Sequence, residues 1–94
     1  MEPVEINAGS WYLRAQHADE WEADTAYSWA VCEPTTGDVL AEVSLDPLRA
    51  TLTARTRPRH EDAAVAACES VRRFAAATLG LLQLVKQPGQ RLGE

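Results

Sequence analysis

The fold is decided by residues 26–45, which read AYSWAVCEPTTGDVLAEVSL. On both sides of PTTG, large apolar side chains occupy every second position, and this two-residue period is typical of a β-strand. Pro34 fixes its own φ and Gly37 allows a positive φ, so these four residues predict a tight turn. The sequence therefore predicts a β-hairpin formed by strands 26–33 and 38–45.

A further strand and one long helix follow the hairpin. Residues 49–57 again alternate in polarity, up to Pro58, and therefore predict a strand. Over residues 61–79, apolar side chains recur at steps of three and four, which predicts an amphipathic helix with one face packed on the sheet. Gly80 follows at the position where helices commonly end with a positive φ.

The two ends of the chain complete the predicted sheet. Residues 81–85, LLQLV, predict a last, buried strand, which a right-handed crossover would place parallel to the strand before the helix; residues 86–94 predict a fraying polar tail. Residues 4–14 predict one bent strand or two short strands, and residues 15–25 predict one or two helical turns packed through Trp21. The sequence thus predicts a single α+β domain with the order β-β-β-β-α-β, a mixed, mostly antiparallel sheet of four to five strands with one long helix packed on it.

Size and charge limit the classes of function. The 94 residues suffice for one domain, and 46% hydrophobic with 24% charged residues is typical of a globular protein. Residues 1–47 carry ten acids and one base, whereas residues 48–94 carry eight bases and four acids. The net charge of −5 argues against nucleic acid as a partner. No apolar run is long enough for a membrane span and the first residues are acidic, so we expect no membrane partner and a cytoplasmic location.

The cysteines and histidines form no pattern typical of a metal site. Cys32 and Cys68 lie in apolar surroundings without CxxC spacing, so we predict buried thiols. His17 and His60 have no second ligand at a metal-like spacing, so we predict no metal. Residues 49–59 carry four arginines and no acid, which predicts either a solvated basic surface or a surface that attracts a phosphate-bearing ligand.

Several of these stretches resemble the GNAT superfamily of N-acetyltransferases, in particular its ribosomal-protein acetyltransferase subgroup. The resemblance is carried by YSWAV at residues 27–31, the PTTG turn, VLAEV at residues 39–43 and FAAATLGL at residues 74–81. Within residues 4–14, VEI and WYLR resemble the family's first strand, and LQL at residues 82–84 resembles the start of its fifth. The pieces cover about two thirds of the chain and include no diagnostic motif.

The resemblance implies an acetyl-CoA site at the start of the long helix. In the family the cofactor lies where the fourth and fifth strands splay apart, and backbone N–H groups of an Arg-Gly-x-Gly loop hold its pyrophosphate. The equivalent residues 59–63 read RHEDA, which keeps Arg59 but places His60 and Asp62 where the family has glycine. The cofactor-binding residues that the resemblance implies are Arg57, Arg59, His60, Ala63 and Ala64.

The sequence supports catalysis less than it supports a cofactor site. The family continues beyond its fifth strand with segments that carry the proton donor for the departing CoA thiolate, and this chain ends at Glu94. The predicted fourth strand offers no acid and the fifth offers Gln83, which cannot act as a base, so no catalytic residue is assigned. We therefore expect a degenerate or truncated GNAT-like protein with weak or no acetyl-CoA-dependent N-acetyltransferase activity. The alternatives are an active acyl-CoA-dependent N-acyltransferase and a small α+β protein-interaction module unrelated to acyl transfer.

A second copy of the chain is the expected partner. A sheet that ends at residues 81–85 leaves an apolar edge without a neighbour, and a single long helix leaves one face of the sheet uncovered. Unpaired edges and uncovered apolar faces favour association with another chain. We therefore expect a homodimer joined through the last strand or through the uncovered face.

Overall fold

The predicted hairpin forms the centre of the sheet. The structure is a computed structural model, and it describes residues 1–87 together with the backbone of residues 90–91. Strand β3 (Tyr27–Cys32) pairs antiparallel with β4 (Val39–Asp46), with a register shift next to Cys32. In the connecting turn Gly37 has a φ of 77°, and its N–H donates to the carbonyl of Glu33 at 2.8 Å. The hairpin prediction is therefore confirmed.

Five further strands extend this hairpin on both sides. They are β1 (Ile6–Ala8), β2 (Trp11–Gln16), β5 (Thr51–Thr56), β6 (Val85–Lys86) and β7 (Gln90–Arg91). The order across the sheet is β1-β2-β3-β4-β5-β6, and β7 pairs with β5 farther along the same edge as β6. Strands β1 to β5 are antiparallel, whereas β6 and β7 run parallel to β5. The protein is therefore α+β with a mixed, mostly antiparallel sheet, as predicted, but with more strands than the four to five expected.

The long helix packs one face on the sheet. Helix α2 (Glu61–Phe74) continues as a π-helix over Ala75–Leu79, so the helical segment has the predicted length. Its buried residues are Ala63, Ala64, Ala67, Cys68, Ser70 and Val71. All of these side chains are small, which allows the helix backbone to lie close to the sheet. Gly80 then ends the helix with a φ of 70°.

The last strand begins later than the sequence predicts. Residues 81–84 are irregular, because they carry the chain from the helix layer to the edge of β5, and Val85 then enters β6 with its side chain 62% exposed. The prediction of a buried strand over 81–85 is therefore wrong. Lys86 and residues 90–91, predicted as fraying tail, pair with β5 instead. The remaining tail residues, 88–89 and 92–94, lie outside the described part of the chain.

The core between sheet and helix is centred on an aromatic cluster. Helix α1 (Ala18–Ala23) brings Trp21 into this cluster, where it is fully buried, as predicted. Its ring centroid lies 5.0 Å from that of Trp29 and 4.8 Å from that of Tyr27. The predicted buried thiols are also confirmed, since Cys32 and Cys68 are both free and 4% exposed. No helix in the described part of the chain is both long and apolar enough to span a membrane.

Candidate functional site

The five residues implied for acetyl-CoA binding lie together where β5 leads into α2. Arg57 and Arg59 are exposed in the loop, and Arg59 has a φ of 72°, in the left-handed region. His60 is half-buried and immediately precedes the helix. Ala63 and Ala64 are buried in the first turn, so only their backbone could face a ligand. The structure thus places these residues at one helix N-terminus, and their assignment to a cofactor stays a prediction.

Two backbone N–H groups at the start of α2 already donate to acceptors of neighbouring residues. The N–H of Ala63 donates to the Asp62 side chain at 2.9 Å and to the carbonyl of His60 at 3.1 Å. The N–H of Ala64 donates to the same carbonyl at 3.3 Å. A pyrophosphate at this position would have to compete with both acceptors, and it would also meet the exposed carboxylates of Glu61 and Asp62.

The strands that the resemblance equates with the family's fourth and fifth strands are paired with each other at both ends of β5. At the start of β5, Thr51 and Leu52 are paired with β6. At the end of β5, next to α2, Arg55 and Thr56 are paired with β7. The parallel strands therefore meet beside the helix N-terminus, where the resemblance to the family implies that a cofactor would lie between them.

A second candidate site lies on the face of the sheet that α2 does not cover, which we call the open face. Two rows of side chains cross it. They are Gln16, Ser28, Ser44 and Thr53 in the first row, and Arg14, Ala30, Glu42 and Arg55 in the second. These positions alternate along the strands with Trp29 and Val43, which are fully buried on the opposite face. The open face is therefore polar and carries charges of both signs.

A cleft of about 190 Å³ lies over the first row. Its lining residues are Gln16, His17, Glu20, Ser28, Glu42, Val43, Ser44, Thr53 and Arg55. At its floor the Ser28 hydroxyl donates to the carbonyl of Gln16 at 3.3 Å, and Arg55 lies 3.8 Å from the Glu42 carboxylate. A short array of hydroxyl groups beside an ion pair can bind a small polar ligand through hydrogen bonds.

A larger cleft, of about 470 Å³, lies at the other end of the open face, between the β1–β2 turn and the β3–β4 turn. Tyr12, Arg14 and Cys32 are among its lining residues. The β3–β4 turn is ordered by Glu33, whose carboxylate accepts the N–H groups of Thr35 and Thr36 at 3.2 and 2.8 Å. These two hydrogen bonds lower the pKa of Glu33 below its usual value. The turn that forms this edge of the cleft thus makes its own internal hydrogen bonds.

Sequence reasoning missed both clefts of the open face. The signal was present as the polar positions of the alternating strands, Ser28, Glu42 and Ser44. Which of these positions become neighbours depends on strand register, and register is set by pairing across the sheet. Among the residues that the structure describes, no His, Cys, Asp and Glu side chains are grouped so that they could hold a metal ion.

Comparisons with protein-family models, with curated proteins and with solved structures found no match. The relation to the GNAT superfamily therefore stays a prediction based on the sequence.

Proposed function

We propose that this protein is a GNAT-like binding module that binds acetyl-CoA weakly or not at all and has weak or no N-acetyltransferase activity. The observation that carries the proposal is the start of α2, where Asp62 occupies a backbone donor and adds negative charge beside the cofactor position. The order of elements supports the relation to the family, because an antiparallel hairpin, a further strand, a long helix and a parallel strand follow one another as they do there.

Charge at the helix start has a predictable effect on an anionic ligand. A charged side chain within the first turn changes the interaction with the helix dipole by about 0.3–1 kcal/mol, which is roughly a two- to fivefold change in affinity. Glu61 and Asp62 are both exposed there, so their effects on a bound pyrophosphate add to the crowding by the His60 side chain. Arg57 and Arg59 oppose this repulsion, and their attraction is screened by solvent because both are exposed.

The double variant His60→Gly with Asp62→Gly tests this proposal. It removes one bulky side chain and one carboxylate, so acetyl-CoA should raise its melting temperature more than that of the unaltered chain. Glu69→Gln is the matched control, because Glu69 is exposed on α2 two turns beyond the first-turn acids. The control should respond to acetyl-CoA as the unaltered chain does. Equal responses of all three chains would contradict the assignment of the crowding and repulsion to this loop.

The alternative, an interaction module unrelated to acyl transfer, is favoured by the polar cleft of about 190 Å³ on the open face. If both glycine changes leave acetyl-CoA binding absent in a folded variant, this alternative replaces the GNAT-like proposal. We propose a cytoplasmic location under either function. The free thiols of Cys32 and Cys68 support it, since cysteines in the cytoplasm are usually kept reduced.

A further inference from the structure

Three exposed apolar side chains lie on segments that meet at one corner of the sheet, and we call them the apolar corner: Leu48, Leu82 and Val85. Their exposed fractions are 85%, 84% and 62%. Only one other large hydrophobic residue in the described part of the chain, Val65 on α2, is more than half exposed. The N–H of Val85 donates to the carbonyl of Ala50 at 2.8 Å, which fastens β6 to the turn that carries Leu48. Large apolar side chains gathered on a surface typically mark an interface.

The β4–β5 turn holds Leu48 in this exposed position. The Asp46 carboxylate accepts the N–H of Leu48 at 3.0 Å and the N–H of Arg49 at 3.1 Å. Val85 is in register with Thr51, whose neighbour Leu52 is fully buried on the α2 side, so Val85 faces away from α2. The chain's own helix therefore cannot cover Val85.

Charge differs sharply across this end of the sheet. The elements that meet at this corner carry four exposed basic residues: Arg49 in the β4–β5 turn, 4.0 Å from the Asp46 carboxylate, Arg72 and Arg73 in the last turn of α2, and Lys86 in β6. Helix α1 connects β2 to β3 at the same end, and its segment carries Asp19, Glu20, Glu22 and Asp24. Of these, Asp24 is paired with the N-terminal ammonium group at 2.7 Å, while Asp19 and Glu22 are exposed. An acidic helix and a basic apolar corner thus lie side by side.

The spacing of the strands allows this end of the sheet to pair with the same end of a second copy. Helix α1 joins the second and third strand positions, and the apolar corner extends from the β4–β5 turn to the sixth position, so the end of β4 lies between them. At about 4.8 Å per strand, both lie within roughly 10 Å of the end of β4. A two-fold axis perpendicular to the sheet and just beyond the end of β4 would place α1 of each copy against the apolar corner of the other. Both contacts would form at once in a closed dimer.

We propose that the protein forms a homodimer through this end of the sheet, with the acidic α1 of each copy seated on the basic, apolar corner of its partner. The interface includes β6 and so gives a definite geometry to the homodimer expected near the last strand. The start of α2 lies at the opposite end of β5 and remains free in this arrangement. The proposal is therefore independent of acetyl-CoA binding, and the two can fail separately.

Solution mass is the first test, with variants confined to exposed side chains. The unaltered chain should sediment as a dimer at tens of micromolar, and Leu48→Ser with Leu82→Ser should weaken the dimer roughly tenfold or more. Val65→Ser is the control and should leave the mass unchanged, because Val65 is equally apolar but lies on the outer side of α2. A monomeric unaltered chain overturns the proposal, and so does a dimer that tolerates the double change.

A charge exchange tests the orientation of the two copies. Glu22→Lys and Arg49→Glu should each weaken the dimer, because each places like charges across the interface. The two changes together should largely restore it, since residue 22 of each copy then again faces a residue 49 of opposite charge. Lysine at position 22 also suits the C-terminal end of α1, so loss of folding is not expected. Two weakened single variants without restoration in the double variant would overturn this arrangement.

Discussion

At the residue scale, the aromatic cluster combines apolar packing with satisfied polar groups. The indole N–H of Trp29 donates to the carbonyl of Val4 at 2.7 Å, which holds the N-terminal segment against the core. The Tyr27 hydroxyl donates to the Asp24 carboxylate at 2.7 Å, and the same carboxylate accepts from the N-terminal ammonium group. Burial and the neighbouring carboxylate raise the pKa of Tyr27 to about 12. Both causes disfavour the charged phenolate.

This pKa predicts a loss of stability in alkali. Between about pH 10 and about pH 12, the unfolded Tyr27 phenol releases a proton that the folded phenol retains. The unfolded state then binds fewer protons, so the free energy of unfolding falls as the pH rises. Denaturant titrations of the unaltered chain and of Tyr27→Phe should show the unaltered chain losing more stability across this interval. Parallel stability curves for the two chains would rule out this role for Tyr27.

At the element scale, the sequence predicts best those segments whose local pattern and tertiary environment agree. The hairpin was predictable because alternation in both strands surrounds a turn with proline and glycine in suitable positions. The strand at 81–85 was predicted wrongly because LLQLV signals burial, whereas Leu82 and Val85 are exposed at the sheet corner. An apolar run does not reveal whether it is covered by its own chain or left on the surface.

The predicted cofactor site could likewise be predicted from the sequence only in part. That residues 57–64 form a loop followed by a helix start was predictable from Pro58 and the helical period. The sequence did not predict two features of this site. They are the hydrogen bond between the Asp62 carboxylate and the N–H of Ala63, and the pairing of β7 with the end of β5. Both depend on how side chains and strands meet in three dimensions, which a single sequence does not specify.

The end of the helical segment supplies a stability prediction. Gly80 has a φ of 70°, and its N–H closes the π-helix by donating to the carbonyl of Ala75. A Cβ at position 80 would meet nothing within 4 Å, so Gly80→Ala should be destabilising through backbone strain alone, by about 1–2 kcal/mol. Gly80→Asn is the matched control and should lose less, because asparagine tolerates a positive φ better. Equal losses in denaturant titrations would show that the positive φ is not the cause.

At the scale of the whole molecule, the two halves of the chain have opposite charge but share one sheet. The acidic half supplies β1 to β4 and α1, and the basic half supplies β5 to β7 and α2. The α2 start is an exception within the basic half, because Glu61 and Asp62 make it locally acidic. These two carboxylates are the reason why we propose weak or no acetyl-CoA binding, since a helix start without them would be suited to a phosphate group.

Calorimetric titration of the unaltered chain with acetyl-CoA tests the central claim most directly. We expect no measurable heat of binding, or a dissociation constant far above the micromolar range, because the donors at the start of α2 are partly occupied and flanked by carboxylates. The chain should be folded and its oligomeric state known during the titration, so that weak binding cannot be attributed to unfolding. Saturable binding with a sub-micromolar dissociation constant would contradict the proposed weak binding, because it would show that residues 57–64 hold the cofactor despite His60 and Asp62.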